Sequence, residues 1–226
     1  MEPAAWPGVF REGRDLFTVN ARPGISVYGE RRVDRDGVEY RGWDPFRSKL
    51  AALLLRGPAP AVPARVERVL YLGASHGTTV SHVSDLWPSA SIFAVEKSPA
   101  SFAPLLALAR ERANLLPLLA DAQLPERYQA DVGLAEVLYQ DVAQRSQAAI
   151  FAENARACLA PGGLGLLMLK IRSVTQRLPS AQVVRDARRE IEAAGLPIRG
   201  EIPLAPFSRE HVALVTGGPR TPSSAR

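Results

Sequence analysis

Cysteine, lysine and long apolar runs are all scarce in this chain of 226 residues. Cys158 stands alone, so no internal disulfide can form, and a reducing, intracellular setting is expected. Cys158 itself reads as a small buried apolar residue on a helix. No apolar stretch approaches the roughly 20 residues that cross a bilayer. The opening MEPAAWPGVF has neither the basic start nor the apolar centre of a secretory signal. The fingerprint G-x-G-x-x-G is missing, which counts against a nicotinamide cofactor. Of the 28 basic residues, only Lys49, Lys97 and Lys170 are lysines. A GC-rich genome explains that bias without any functional cause, yet it singles out three ammonium groups.

What is present suits one α/β domain with a small appendage, or two small domains: 46% hydrophobic and 23% charged residues, enough to bury a sizeable core. A formal charge of +5 permits a polyanionic partner without requiring one. Residues 1–43 read as a small β-rich subdomain. LFTVN and ISVYG alternate as half-buried strands do, and VDRDGVEY carries an Asp-Gly turn between two short runs. WDPFRSKLAALLLRG reads as a helix with Asp44 as N-cap, Pro45 in the first turn and Gly57 at its close. PAPAVPA is a connector.

From residue 66 strands alternate with helices. RVLYLG, SIFAVE, LLPLLA, the later part of VGLAEVLYQD and GLGLLMLK are the strand candidates. TTVSHVSDLW, the later part of SPASFAPLLALARERAN, QRSQAAIFAENARACL (closing at Pro161-Gly162-Gly163) and AQVVRDARREIEAAG are the helices. PIRGEIPL and HVALVTG follow with no helix between them and read as an antiparallel pair. The expectation for 44–217 is therefore a Rossmann-like α/β fold of the class I methyltransferase kind, a seven-stranded sheet with a terminal antiparallel pair. Residues 218–226 read as a disordered polar tail.

Ligand sites in such sheets lie at the carboxyl ends of the strands. The first strand runs into Gly73-Ala74-Ser75-His76-Gly77-Thr78-Thr79 at a helix start, where Gly73 and Gly77 are expected to let backbone approach a ligand. Taken alone this also fits a tight turn without a ligand. Glu96 ends the second strand, where a carboxylate can accept both ribose hydroxyls of an adenosine. Asp121-Ala122 follows the third strand, and Asp141 ends the fourth, with Gln144 nearby. Each acid singly fits a helix cap or a solvated loop equally well. Three at successive strand ends point to an adenosine-containing cofactor. No metal is expected.

The ordered motifs PGISVYGE, EYRGWDPFRSKLAA, YLGASHGTTVSHVSD, AVEKSP, LADAQLPERY, LYQDVAQ, LAPGGLGLLMLKIRS and PFSREHVALV resemble the fibrillarin family over nearly the whole chain. With no glycine/arginine-rich segment at the start, the resemblance is to the archaeal form, which implies a cytoplasmic setting. His76 stands where the family usually has serine, Lys97 where it has phenylalanine, and Val174-Thr175 where it has isoleucine-aspartate. The resemblance implies methyl transfer from S-adenosyl-L-methionine to the ribose 2′-hydroxyl of rRNA or tRNA in a box C/D ribonucleoprotein. Its partners there would be a guide RNA, a Nop-domain scaffold protein and a kink-turn-binding ribosomal-like protein.

It also implies a catalytic set of Lys49, Asp141, Lys170 and His211, with Asp141 orienting Lys170. Gly73, Ala74, Thr78, Thr79, Glu96, Asp121, Ala122, Asp141 and Gln144 would hold the cofactor. Arg47 and Arg172 are the candidates for RNA contact, while His82 has no functional match and reads as structural. Two alternatives stand beside this: methylation of a protein glutamine, and a structural subunit without turnover.

Overall fold

The computed structural model describes residues 1–4 and 6–219. Its N-terminal sheet contains β1 (Glu2–Pro3), β2 (Val9–Glu12), β3 (Asp15–Val19), β4 (Arg32–Arg35) and β5 (Val38–Trp43), paired antiparallel in the order β1-β2-β3-β5-β4. The Asp36-Gly37 turn joins β4 to β5, both residues at positive φ as a tight hairpin requires. ISVYG, expected as a strand, is a loop instead. The Glu30 carboxylate accepts the N–H groups of Val27 and Tyr28, so local side-chain bonds replace strand pairing.

Helix α1 (Lys49–Arg56) starts four residues later than the sequence implies. Asp44 takes the Phe46 N–H in a local turn, and Ser48 is the N-cap, its Oγ accepting from Ala51 N. The chain then runs through β6 (Arg68–Leu72), α2 (Thr78–Leu86), β7 (Ser91–Glu96), α3 (Pro99–Arg110) and β8 (Leu115–Leu119). A 3₁₀ turn at Pro125–Arg127 and the short α4 (Gln129–Val132) precede β9 (Ala135–Gln140). Last come α5 (Gln147–Cys158), β10 (Leu159–Lys170), α6 (Ile171–Val174), α7 (Ser180–Ala193), β11 (Ile198–Pro203) and β12 (His211–Gly217). Pro161-Gly162-Gly163 does not close α5. It lies within the β10 span, where the register against β9 shifts between Leu159 and Leu164.

The seven-stranded sheet has the order β11-β12-β10-β9-β6-β7-β8, with β11 and β12 antiparallel and the other five parallel. Period-two alternation assigns its residues to two cores. Tyr71, Ala94, Val137, Met168 and Ala213 face α1, α2 and the N-terminal sheet. Leu72, Val95, Leu138, Leu167 and Leu214 face α5 and α7. The chain order reverses at β6, whose neighbours are β7 and β9, so the loops after β6, β7 and β9 splay apart there and leave a crevice. Cys158 is buried at the end of α5, where burial pushes its thiol up to about 11. No helix among the described residues is long and apolar enough to cross a membrane. The tail expected from residue 218 lies, from 220 onward, outside the described residues.

Candidate active site

The crevice is a cavity of about 230 Å³ lined by Gly73, Ser75, Glu96, Lys97, Ala122, Asp141 and Gln144, among others. Gly73 is forced by the protein itself. A Cβ there would lie 2.4 Å from the Asp141 carbonyl oxygen, so only glycine lets the tips of β6 and β9 come together. Gly77 takes a positive φ of 96° at the start of α2, and its missing Cβ makes room for Leu108 of α3. His76 is exposed and does not line the cavity.

Glu96 is held rigidly. One carboxylate oxygen accepts Ser75 N–H at 2.9 Å and the other Ser98 N–H at 2.8 Å. Each oxygen keeps a second lone pair, so the carboxylate is fixed yet able to accept two neighbouring hydroxyls. Asp121 stands at the edge, linked to the cavity through Lys97, whose Nζ lies 3.5 Å from its Oδ2. Burial raises the Asp121 carboxyl, but the Gln123 N–H and the Lys97 ammonium outweigh it and hold the group below its usual range. Ala122 is fixed from behind by fully buried Asn154, whose amide donates to the Ala122 carbonyl at 2.8 Å. Ala74, Thr78 and Thr79 do not line the cavity; the Thr79 hydroxyl bonds Ser48 Oγ at 3.1 Å, behind Lys49.

Asp141 joins this cavity to a cationic cluster. Its Oδ2 accepts from Lys49 Nζ at 2.6 Å, so its direct partner is Lys49, at the start of α1, and not Lys170. Burial raises the Asp141 carboxyl, opposed by the charges of Lys49 and Lys170. Lys170, the last residue of β10, pairs in register with His211, the first of β12. Direct cross-strand partners project to the same face, so sheet geometry places these two side chains together. The His211 Nδ1 is 2.8 Å from Ser208 Oγ, while its buried Nε2 has no partner among the described residues. Burial, then the Lys49 and Lys170 charges, lower the imidazole to about 4, so it is neutral at pH 7.

Beside this cluster opens a wider groove of about 650 Å³, lined in part by Tyr28, Phe46, Arg47 and Phe207. Arg47 lies 4.8 Å over the Tyr28 ring, and Phe46 meets Phe207 edge to face. Arg172 is exposed and pairs with Glu210, next to His211. Sequence reasoning missed Ser208, Asn154 and the buried glutamines Gln140 and Gln147. Nothing in their spacing marks them, since their roles depend on which backbone groups the fold leaves unpaired.

The family model for fibrillarin matches residues 3–219. The chain belongs to the fibrillarin family. It is 41% identical over 208 residues to the fibrillarin-like rRNA/tRNA 2′-O-methyltransferase of Methanothermobacter thermautotrophicus, covering 92% of this chain and 93% of that protein. Aeropyrum pernix fibrillarin, solved with natively bound S-adenosyl-L-methionine, aligns with a TM-score of 0.85 and 39% identity, covering 93% of this chain and 94% of the other. The structure of a fibrillarin/Nop5p complex aligns with a TM-score of 0.87 and 37% identity, covering 97% of this chain and 100% of the other. The Rossmann-like sheet expected from the sequence is the fold of this family.

Proposed function

We propose that this chain transfers a methyl group from S-adenosyl-L-methionine to a ribose 2′-hydroxyl of rRNA or tRNA, working in the cytoplasm. The observation that carries the reading is the junction at Asp141. One residue lines the glycine-turn cavity and grips Lys49, beside the Lys170–His211 pair. A cofactor site and a set of hydroxyl-directed groups thus share a wall.

The cavity suits the cofactor by its donors and acceptors. Glu96 takes the ribose hydroxyls, Asp121 the adenine amino group, and the backbone around Gly73 with Gln144 the remainder. When bound, S-adenosyl-L-methionine supplies a methyl carbon activated by its sulfonium. The protein's share of the work is to align the acceptor oxygen and ease loss of its proton to solvent water. Lys170 contacts the 2′-oxygen and stabilises its developing charge. Asp141 keeps Lys49 in place, and Lys49 meets the ribose or its phosphate. His211 is too weak a base at about 4 to hold a proton at neutral pH. Neutral and held by Ser208, it instead positions the ribose beside Lys170.

Arg47 and Arg172 contact phosphates at the rim. Such contacts position RNA without reading it, so choice of target falls to a base-paired box C/D guide RNA. A Nop-domain scaffold and a kink-turn-binding protein complete the particle. The test is ribose methylation on a complementary strand by a reconstituted particle. Lys170→Ala should cut the rate at least about a hundredfold, the scale of losing one group that stabilises the transition state. Near wild-type turnover would refute the role given to Lys170.

A further inference from the structure

The end of β10 poses a packing problem that one side chain solves. Its pairing with β9 stops at Leu167↔Gln140, whereas β10 continues to Lys170. On the β12 side Lys170 is paired with His211, but on the β9 side its peptide groups have outrun the neighbouring strand. Gln147, fully buried at the start of α5, stands in for the missing strand. Its Oε1 accepts the Lys170 N–H at 2.8 Å and its Nε2 donates to the Lys170 carbonyl at 3.0 Å. A side-chain amide has a donor and an acceptor in one plane, as a peptide does, so it can replace both halves of a strand contact. Gln147 is braced in turn, its own carbonyl accepting from the fully buried Gln140 side chain at 2.7 Å.

We propose that Gln147 is a positioning residue for the methyl-transfer reaction: it fixes the Lys170 backbone relative to the cofactor cavity. This rests on the role for Lys170 given above. The segment just before Gln147 supplies Val142, Ala143 and Gln144 to the cavity wall. The same short stretch therefore shapes the cofactor site and clamps the lysine, and its two tasks register one group against the other. Without the clamp the tip of β10 is held from one side only, and a misplacement of about 1 Å at a reacting group costs on the order of a hundredfold in rate.

The experiment uses the full chain in the reconstituted particle. Gln147→Met keeps length and loses both bonds. It is expected to lower kcat about ten- to hundredfold, with KM for RNA and the Kd for S-adenosyl-L-methionine by calorimetry within twofold of wild type. Gln147→Glu keeps the acceptor for the Lys170 N–H; ionised, it sets an oxygen against the Lys170 carbonyl and kcat stays low, whereas protonated it donates there and restores both bonds, so kcat should rise as pH falls. Unchanged kcat in Gln147→Met overturns the proposal. A fall in cofactor affinity that matches the fall in kcat overturns it too, since Gln147 would then serve the cavity wall alone. If the methionine variant does not fold, Gln147→Asn decides: its amide is one carbon too short to reach Lys170, and a wild-type kcat there rejects the clamp. Lys170→Ala separates the two claims: an active Lys170→Ala particle sinks the reading of Lys170, whereas an inactive one beside a fully active Gln147→Met sinks only the clamp.

Discussion

His82 and His211 are both buried and both poor bases, yet their surroundings differ in one respect. His82 has a partner on each ring nitrogen, Thr18 Oγ1 at 2.8 Å and Tyr28 OH at 2.7 Å, and it stacks on Trp43. His211 has Ser208 on one nitrogen and, among the described residues, none on the other. The acids beside them repeat the contrast. Asp85 accepts from Thr18, Ala21 N, Arg41 and Arg112, while Asp141 has one side-chain donor, Lys49. A polar cluster whose valences are filled can only hold the fold together. One that is left open has capacity for a ligand. The first cluster bolts the N-terminal sheet to α2; the second reaches the crevice through Asp141.

Opening the filled cluster should have the largest effect. Asp85→Ala leaves two buried guanidiniums, Arg41 and Arg112, without their shared counter-charge. Removing one member of a buried ion pair costs about 3–5 kcal/mol. Urea melts should show at least that loss, or no folded protein. A loss below about 1 kcal/mol would mean that the filled cluster is not structural.

Acid should act on both histidines next. Burial lowers the affinity of each for protons, helped by Arg41 and Arg112 around His82 and by Lys49 and Lys170 around His211. In the unfolded chain both titrate near 6.5. The unfolded state therefore binds more protons at mildly acidic pH, and stability falls as pH drops from about 6.5 towards about 4. For His211 the full shift is worth on the order of 3 kcal/mol. Melts between pH 7 and 4.5 should show this slope, and His211→Gln should make it shallower while leaving the part due to His82. A slope indifferent to that substitution would remove His211 from the buried set.

The sequence discloses the filled and open clusters unequally. The succession of strands and helices, the terminal antiparallel pair, the Asp36-Gly37 hairpin and the acids at strand tips are legible because they follow from alternation and chain order. Lys49, Lys170 and His211 were found through the family likeness, and the register of β10 against β12 explains why Lys170 and His211, so far apart in sequence, share a face. Arg41 lies in a strand between Tyr40 and Gly42, where nothing marks it as fully buried. ISVYG alternates like a strand, but Glu30 captures its N–H groups. Gln147 has no sequence signal, because the need for it arises only where β9 ends before β10.

Lys97 offers the smallest and sharpest test, since it belongs to neither cluster. It pairs with Asp121 at 3.5 Å with about half of its side chain exposed. In the proposed reading the adenine amino group also needs Asp121, whose Oδ1 already takes the Gln123 N–H. Each oxygen keeps a second lone pair, so the ammonium does not block the cofactor but competes by drawing charge from the carboxylate. An exposed pair of this kind is worth less than about 1 kcal/mol, so relief of the competition is limited to about fivefold. Lys97→Met should tighten S-adenosyl-L-methionine binding within that limit, measured by calorimetry. The gain should shrink as salt rises, because salt already screens the competing pair. Weaker binding in the variant would show that Lys97 contacts the cofactor, and would place it among the open valences of the site.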